Sequence, residues 1–149
     1  MLTAIPGGIW RGCFRRQRSM NVSRKKAMFI GVGAVVFIAA LQAFNSVVCY
    51  KQNLSGYLNS LWFILIPMLL PIASLLTKNP LRAVGGALMF APWLVLAYYT
   101  DCIRPYTGGG ASMIYIAVVM FGLPSAALGT LVTGPVLRVL GVTVNTNDQ

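Results

Sequence analysis

The chain of 149 residues contains no histidine and no glutamate, and its only acidic residues are Asp101 and Asp148. Enzymes draw most of their acid–base catalysts and metal ligands from histidine, glutamate, aspartate and cysteine. With three cysteines and two aspartates, the chain has few side chains of these types. We therefore expect a protein that is not an enzyme and that holds no metal ion or other cofactor.

Charged residues of either sign are also scarce, at 9% of the chain, whereas a soluble domain usually carries about 25%. Hydrophobic residues make up 57% of the chain, and the mean hydropathy is +0.73. They occur in long uncharged blocks rather than in the short periodic runs of a water-soluble core. The composition therefore predicts an integral membrane protein whose apolar surface faces lipid.

Four uncharged blocks are long enough to cross a bilayer as helices, which takes about 20 apolar residues. We place these predicted helices at approximately residues 28–48, 58–77, 83–100 and 112–132. The sequence thus predicts an all-α fold, a bundle of four transmembrane helices within residues 27–141. A basic segment, 1–26, precedes the bundle, and a short polar tail, 142–149, follows it. Met1 and Met20 are both compatible with the start of the protein.

Two of the four predicted helices have features that a straight span of about 20 residues does not have. Pro67 and Pro71 each remove a backbone hydrogen bond, so they predict a kink in the second helix. The fourth block is longer than one crossing requires, so we expect residues 134–141 to form an interfacial tail with Arg138 at the lipid headgroups.

Basic residues are distributed unevenly about these helices, and their distribution predicts the orientation. With the N-terminus in the cytoplasm, all but two of the twelve lysines and arginines lie on the cytoplasmic side, as the positive-inside rule requires. The exceptions are Lys51 and Arg104. The six tyrosines then lie at the outer ends of helices, where the hydroxyl reaches water. We therefore expect an inner (plasma) membrane protein with both termini in the cytoplasm.

The net charge of +10 is compatible with binding to nucleic acid, because basic proteins often neutralise phosphates. Seven of the basic residues, however, precede the first apolar block, where topology signals and contacts with anionic lipid belong. We expect the N-terminal segment to contact anionic lipid headgroups or to form a disordered tail. We expect no nucleic-acid partner.

Small residues recur at helical spacing in the third and fourth predicted helices. Such stripes allow a second helix to approach closely, within one chain or between chains. We interpret them first as packing surfaces inside the bundle, with an oligomer interface as the alternative. The stripes comprise Ala83, Gly86, Ala87 and Ala91 in the third helix, and Gly122, Ala126 and Gly129 in the fourth.

Polar side chains within the predicted helices are few. Gln42 and Asn45 share one face of the first helix because they are three residues apart. Such side chains most often form hydrogen bonds between helices. The alternative is a polar pathway lined by Gln42, Asn45, Asn59 and Ser60.

Two cysteines fall at the outer side of the predicted membrane region. Cys49 and Cys102 end the first and third predicted helices, whereas Cys13 lies in the cytoplasmic segment. Disulfides persist on the oxidising side of a membrane. If the two helices are neighbours, their ends can bring the Cα atoms within the ~4.4 to 6.8 Å that a disulfide needs. We therefore predict a disulfide between Cys49 and Cys102, with two free thiols as the alternative.

The motifs assign the chain to no family. It lacks the Cys-x-x-Cys pair of quinone-dependent disulfide-generating enzymes and the membrane-embedded glutamate of small multidrug exporters. The chain lacks a recognisable set of catalytic residues, its loops are short, and its helices carry small-residue stripes. These features favour a non-enzymatic accessory or assembly subunit that packs against itself or against a larger membrane complex. The alternative is a small oligomeric channel or facilitator for a solute or an ion.

Overall fold

The structure, a computed structural model, describes residues 20–104 and 113–145. These residues form five α-helices, α1 to α5, which run Arg24–Phe44, Leu54–Ser60, Trp62–Leu75, Arg82–Tyr98 and Ile114–Val139. Short π-helical turns extend α1 through Asn45–Cys49 and α4 through Tyr99–Ile103. Most of the predicted N-terminal segment, with Cys13, lies outside the described residues, as do residue 112 and residues 146–149 of the predicted tail.

Among the described residues, three helices are individually long and apolar enough to cross a bilayer. Counted with their π-helical turns, they run Arg24–Cys49, Arg82–Ile103 and Ile114–Val139. The α2 and α3 helices meet the same criterion only as a pair, and they are bent by 51° relative to each other. The chain is therefore a mostly helical bundle with three to four candidate membrane spans.

The bend between α2 and α3 corrects the prediction of one continuous helix over residues 58–77. The first part starts earlier, at Leu54, because Asn53 Oδ1 caps it by accepting a hydrogen bond from Gly56 N at 3.0 Å. The break lies at Leu61, between the two helices, whereas both prolines of α3 lie inside that helix. Next to the break, Ser60 Oγ donates to the Tyr57 carbonyl at 2.8 Å, and such bonds to the preceding turn often bend helices.

The α5 helix also differs from its prediction, since it continues to Val139 and not to residue 132. Residues 134–139 are thus helical and do not belong to an interfacial tail. Pro135 lies within this part, but neighbouring groups commonly compensate the single bond that a proline removes from a membrane helix. Gly134 is buried against the guanidinium of Arg82, so the last turns of α5 have a packing partner.

Helices α4 and α5 form the most extensive helix pair of the bundle, and small residues permit their close approach. A Cβ atom built on Gly86 would lie 2.5 Å from Thr130 Oγ1 and 3.1 Å from the carbonyl oxygen of Ala126. Gly122 accommodates the ring of Phe90, whose Cε2 would lie 2.5 Å from a Cβ at position 122. The two small-residue stripes therefore pack against each other within one chain; of their members, only Ala91 is not fully buried, and the buried ones are Ala83, Gly86, Ala87, Gly122, Ala126 and Gly129.

A solid apolar core fills the middle of the bundle. All four long elements contribute to it, and Phe90 is its largest fully buried side chain. The principal members are Ile38 from α1, Ile64 and Met68 from α3, Phe90 and Leu94 from α4, and Val118 from α5.

The two ends of the bundle differ in charge. One end, called here the basic end, joins the starts of α1 and α4 to the ends of α3 and α5, and its cationic residues are Arg24, Lys25, Lys26, Lys78, Arg82 and Arg138. The opposite end, called here the disulfide end, holds Cys49, Lys51, Cys102 and Arg104. Asp101, the one acidic residue in the described part of the chain, lies at the disulfide end.

A two-stranded parallel sheet at the basic end was not predicted. Strand β1, Met20–Ser23, pairs with strand β2, Val142–Asn145, so that Met20 lies opposite Val142. Gly141, with a φ of 70°, turns the chain from α5 into β2, a conformation that glycine adopts readily after a helix. Parts of the predicted basic segment and polar tail are therefore ordered against each other.

Candidate functional site

A half-open cavity of about 220 Å³ lies at the disulfide end. It is bounded by α1, α2, α3 and α5 and by the connection between α1 and α2. Its lining in the described part of the chain combines uncharged polar groups with aromatic rings; the residues are Gln42, Ser46, Tyr50, Gln52, Ser60, Phe63 and Tyr115.

Gln42 connects the walls of this cavity. Its Nε2 donates to Ser60 Oγ at 3.3 Å and lies 3.3 Å from the hydroxyl of Tyr115, which in turn lies 3.4 Å from Gln42 Oε1. The hydroxyls of Ser46 and Ser60 are 3.2 Å apart. Gln42 is 1% exposed and Ser46 is fully buried. These are long bonds for hydroxyl and amide groups.

Aromatic rings form the opposite wall. The ring centroid of Tyr115 lies 5.8 Å from that of Tyr50 and 5.4 Å from that of Phe63, both in tilted arrangements. Such distances are typical of favourable aromatic pairs. The first turn of α5 is thereby held against the connection after α1 and the start of α3.

Two contacts hold α1 and α4 together beside the cavity. Cys49 and Cys102 lie at disulfide distance, with their Cα atoms 5.6 Å apart, which confirms their predicted proximity. The Tyr50 hydroxyl donates a hydrogen bond to the Asp101 carboxylate. Partial burial and this hydrogen bond raise the pKa of Tyr50 well above its ordinary value, so the hydroxyl keeps its proton at physiological pH.

The structure brings only two of the four predicted pathway residues to the cavity, Gln42 and Ser60. Asn45 instead donates to the carbonyl oxygen of Leu94 at 3.1 Å and lines a smaller cavity of about 80 Å³ between α1 and α4. The Asn59 side chain is exposed. Adjacent residues of a helix point about 100° apart, so Asn59 and Ser60 do not face the same space.

Sequence reasoning missed three important cavity residues. Ser46 is a lone serine at the end of an apolar helix, and such a residue carries no distinctive pattern in the sequence. Tyr50 and Tyr115 are expected at the interface, but sequence spacing does not reveal that the rings of these two residues, 65 positions apart, meet. The clustering of tyrosines at one end was the signal that could have located the cavity.

The apolar core closes the cavity towards the basic end. Ile38 lies about one helical turn closer to the basic end than Gln42, and Ile64 lies about one turn closer than Ser60. Both isoleucines are buried in the core. Buried hydroxyls reappear beyond the core at Ser74 and Thr130, where each donates to a carbonyl of its own helix. Within the described residues of one chain, therefore, polar side chains do not form a continuous path from end to end.

Taken together, these features define a class of molecule: an apolar helical bundle with three to four candidate membrane spans and an uncharged polar cavity at one end. Comparisons with models of protein families, with curated proteins and with solved structures found no match to this chain. We therefore base the proposed function on the cavity and its surroundings.

Proposed function

We propose that the protein is a non-enzymatic accessory or assembly subunit of a membrane complex, and that its partner contacts the disulfide end around the cavity. The observation that carries this proposal is the double attachment of α1 to α4 beside an open cavity, through Cys49–Cys102 and Tyr50–Asp101. A surface held rigid before binding loses less conformational entropy when a partner arrives. The partner class is a second membrane protein.

In this proposal the bent pair of α2 and α3 is the fourth membrane span, and both termini lie in the cytoplasm. The excess of lysine and arginine at the basic end supports that orientation. A disulfide at the opposite end suits the oxidising side of a bacterial inner membrane. The pairing of β1 with β2 also keeps the segments before α1 and after α5 at one end.

The rim of the cavity has the composition of a contact surface. Tyr50 and Phe63 are 37% and 40% exposed, and Gln52 beside them is exposed. Aromatic residues are enriched in the centres of protein interfaces, whereas lysine and glutamate are depleted. The rim thus offers apolar area and neutral hydrogen-bonding groups to a partner.

A small oligomeric channel or facilitator is the alternative, and the uncharged polar lining of the cavity favours it. Because the apolar core closes the cavity within one chain, a conducting path would run between copies. The small-residue stripes of α4 and α5 are already occupied by each other, which favours the accessory role over a tightly packed oligomer.

Site-specific photo-cross-linking in native membranes tests the proposal. A photoreactive residue replaces Gln52 at the rim of the cavity, and a matched variant carries it at Leu128, which is 59% exposed on α5. We expect one discrete adduct from position 52, containing the same membrane protein in each preparation, and none from position 128. Adducts only with lipid or other copies, together with solute flux in liposomes, would favour the channel instead.

A further inference from the structure

The basic end contains a second candidate site, independent of the proposed partner surface. Two buried side-chain atoms in the described part of the chain have no hydrogen-bond partner: Arg82 Nε and Asn79 Oδ1. Asn79 lies in the turn that leads from α3 into α4, and Arg82 is the first residue of α4. Buried polar groups of folded proteins are nearly always hydrogen-bonded, so each of these atoms needs a partner that the described side chains do not supply.

The guanidinium of Arg82 is held in a defined position by α5. A Cβ atom built on Gly134 would lie 2.8 Å from Arg82 Nη2 and 3.0 Å from Nε. The absence of a side chain at position 134 therefore allows the guanidinium to lie against the α5 backbone. Arg138 lies four residues after Gly134, about one turn along the same face of α5, and it is exposed.

We propose that Arg82, Asn79 and Arg138 form a binding site for a phosphate group that carries a neighbouring hydroxyl. An arginine fork matches the geometry of phosphate oxygens and binds them through charge-assisted hydrogen bonds. Asn79 Oδ1 needs a donor, which a hydroxyl supplies. Arg82 begins α4 at the end of a candidate span, which is the depth of lipid headgroups. A phospholipid with a glycerol headgroup offers this chemistry, and so does a soluble phosphate.

Native mass spectrometry of the purified full chain tests this site. The probes are phosphatidylglycerol, phosphatidylcholine and inorganic phosphate, each added to delipidated protein in detergent. We expect one tightly retained phosphatidylglycerol and weaker retention of phosphatidylcholine. Displacement by millimolar inorganic phosphate would support the site with a soluble phosphate as its ligand, whereas resistance to it would support a lipid. Equal retention of the two lipids, with no binding of inorganic phosphate, would overturn the proposal.

Three variants separate a defined site from diffuse attraction. Arg82→Gln should weaken phosphatidylglycerol binding by about tenfold or more, because a charge-assisted hydrogen bond is lost. Lys78→Gln removes the same charge from an exposed position at the same end and should change binding by less than about threefold, since exposed ion pairs contribute little. Gly134→Ala keeps every charge but displaces the guanidinium, so it should also weaken binding.

Equal losses in Arg82→Gln and Lys78→Gln would contradict the site and indicate non-specific electrostatics. Unchanged binding in Gly134→Ala would contradict the role of the α5 backbone in placing Arg82. Because the three atoms nearest to the added methyl group all belong to the flexible tip of the arginine, this variant should fold normally even if Arg82→Gln does not.

Discussion

Gly85 of α4 and Gly129 of α5 bring their backbones into direct contact. A Cβ atom at position 85 would lie 2.6 Å from the Gly129 carbonyl oxygen, and one at position 129 would lie 2.8 Å from the Gly85 carbonyl carbon. Real Cβ atoms do not approach backbone atoms so closely. The crossing of α4 and α5 therefore depends on hydrogen atoms at both positions.

This contact predicts a contrast between two alanine substitutions. Gly129→Ala should destabilise the bundle by about 1–3 kcal/mol, as overpacked cores do. A Cβ atom at Gly33 has open space around it, so Gly33→Ala should be neutral or stabilising by up to about 1 kcal/mol, because alanine favours helix more than glycine does. Unfolding in a mixed detergent titration measures both. Equal effects would show that α4 and α5 do not cross at this point.

Replacement of Gln42 should test the polar network of the cavity. Gln42→Leu removes the hydrogen bonds that Gln42 makes with Ser60 and Tyr115, and hydrogen bonds between membrane helices contribute about 0.6 to 2 kcal/mol. We expect a loss of that order. Asn59→Leu, the matched change at an exposed position, should have little effect on the free energy of unfolding. A larger loss in Asn59→Leu would mean that the face of α2 has been assigned incorrectly.

The disulfide between Cys49 and Cys102 should be present in protein that has not been treated with reductant. Mass spectrometry after alkylation of the non-reduced protein should find neither Cys49 nor Cys102 modified, and both modified after reduction. The two cysteines are 53 positions apart, so the chain-entropy model gives at most about 4 kcal/mol of stabilisation, less in a membrane that already restrains the unfolded chain. Free thiols at both positions in untreated protein would contradict the bond.

Labelling with a membrane-impermeant maleimide tests the orientation and the number of spans. In a variant in which Cys13, Cys49 and Cys102 are replaced by serine, Gln52→Cys should react from outside intact cells. Lys78→Cys should react only after the membrane is opened, because in the proposed topology the bent pair of α2 and α3 crosses it. Reaction of both positions from outside would make this pair a re-entrant segment, and three spans would remain.

Alkaline conditions should weaken the contact between Tyr50 and Asp101. The pKa of Tyr50 is raised in the folded protein, whereas an unfolded tyrosine titrates near about 10. The folded state thus holds the proton more tightly, so its stabilising contribution is complete below about pH 10 and declines as the pH rises above that value. Tyr50→Phe should reduce this alkaline loss of stability relative to the unaltered protein. If the stability of Tyr50→Phe and of the unaltered protein changed identically with pH, ionisation of Tyr50 would not contribute to the alkaline loss.

Hydropathy predicted much of this fold because a long uncharged apolar block is typical of a long helix. The uncharged blocks before Lys51 and after Arg82 correspond to α1 and α4, and the separation of cysteines by membrane side predicted the proximity of Cys49 and Cys102. Each of these inferences uses one property of one segment. That is the kind of information that a single sequence carries.

The features that escaped prediction depend on contacts between segments. The bend at Leu61 accompanies the bond from Ser60 to the Tyr57 carbonyl, and hydropathy does not register it. In the extension of α5, Gly134 meets Arg82 of α4, a contact between two separate helices. The cavity requires Tyr115 to approach Gln42 from 73 positions away, and no local pattern records that approach.

The pairing of β1 with β2 has a consequence for the order of events during synthesis. The side chains of Asn21 and Thr143 are hydrogen-bonded across 122 positions, so the first strand leaves the ribosome long before its partner. At about 5–20 residues per second, the wait is roughly ten seconds. All of the helices must be synthesised before the sheet can form, so the pairing of β1 with β2 marks a late step of assembly.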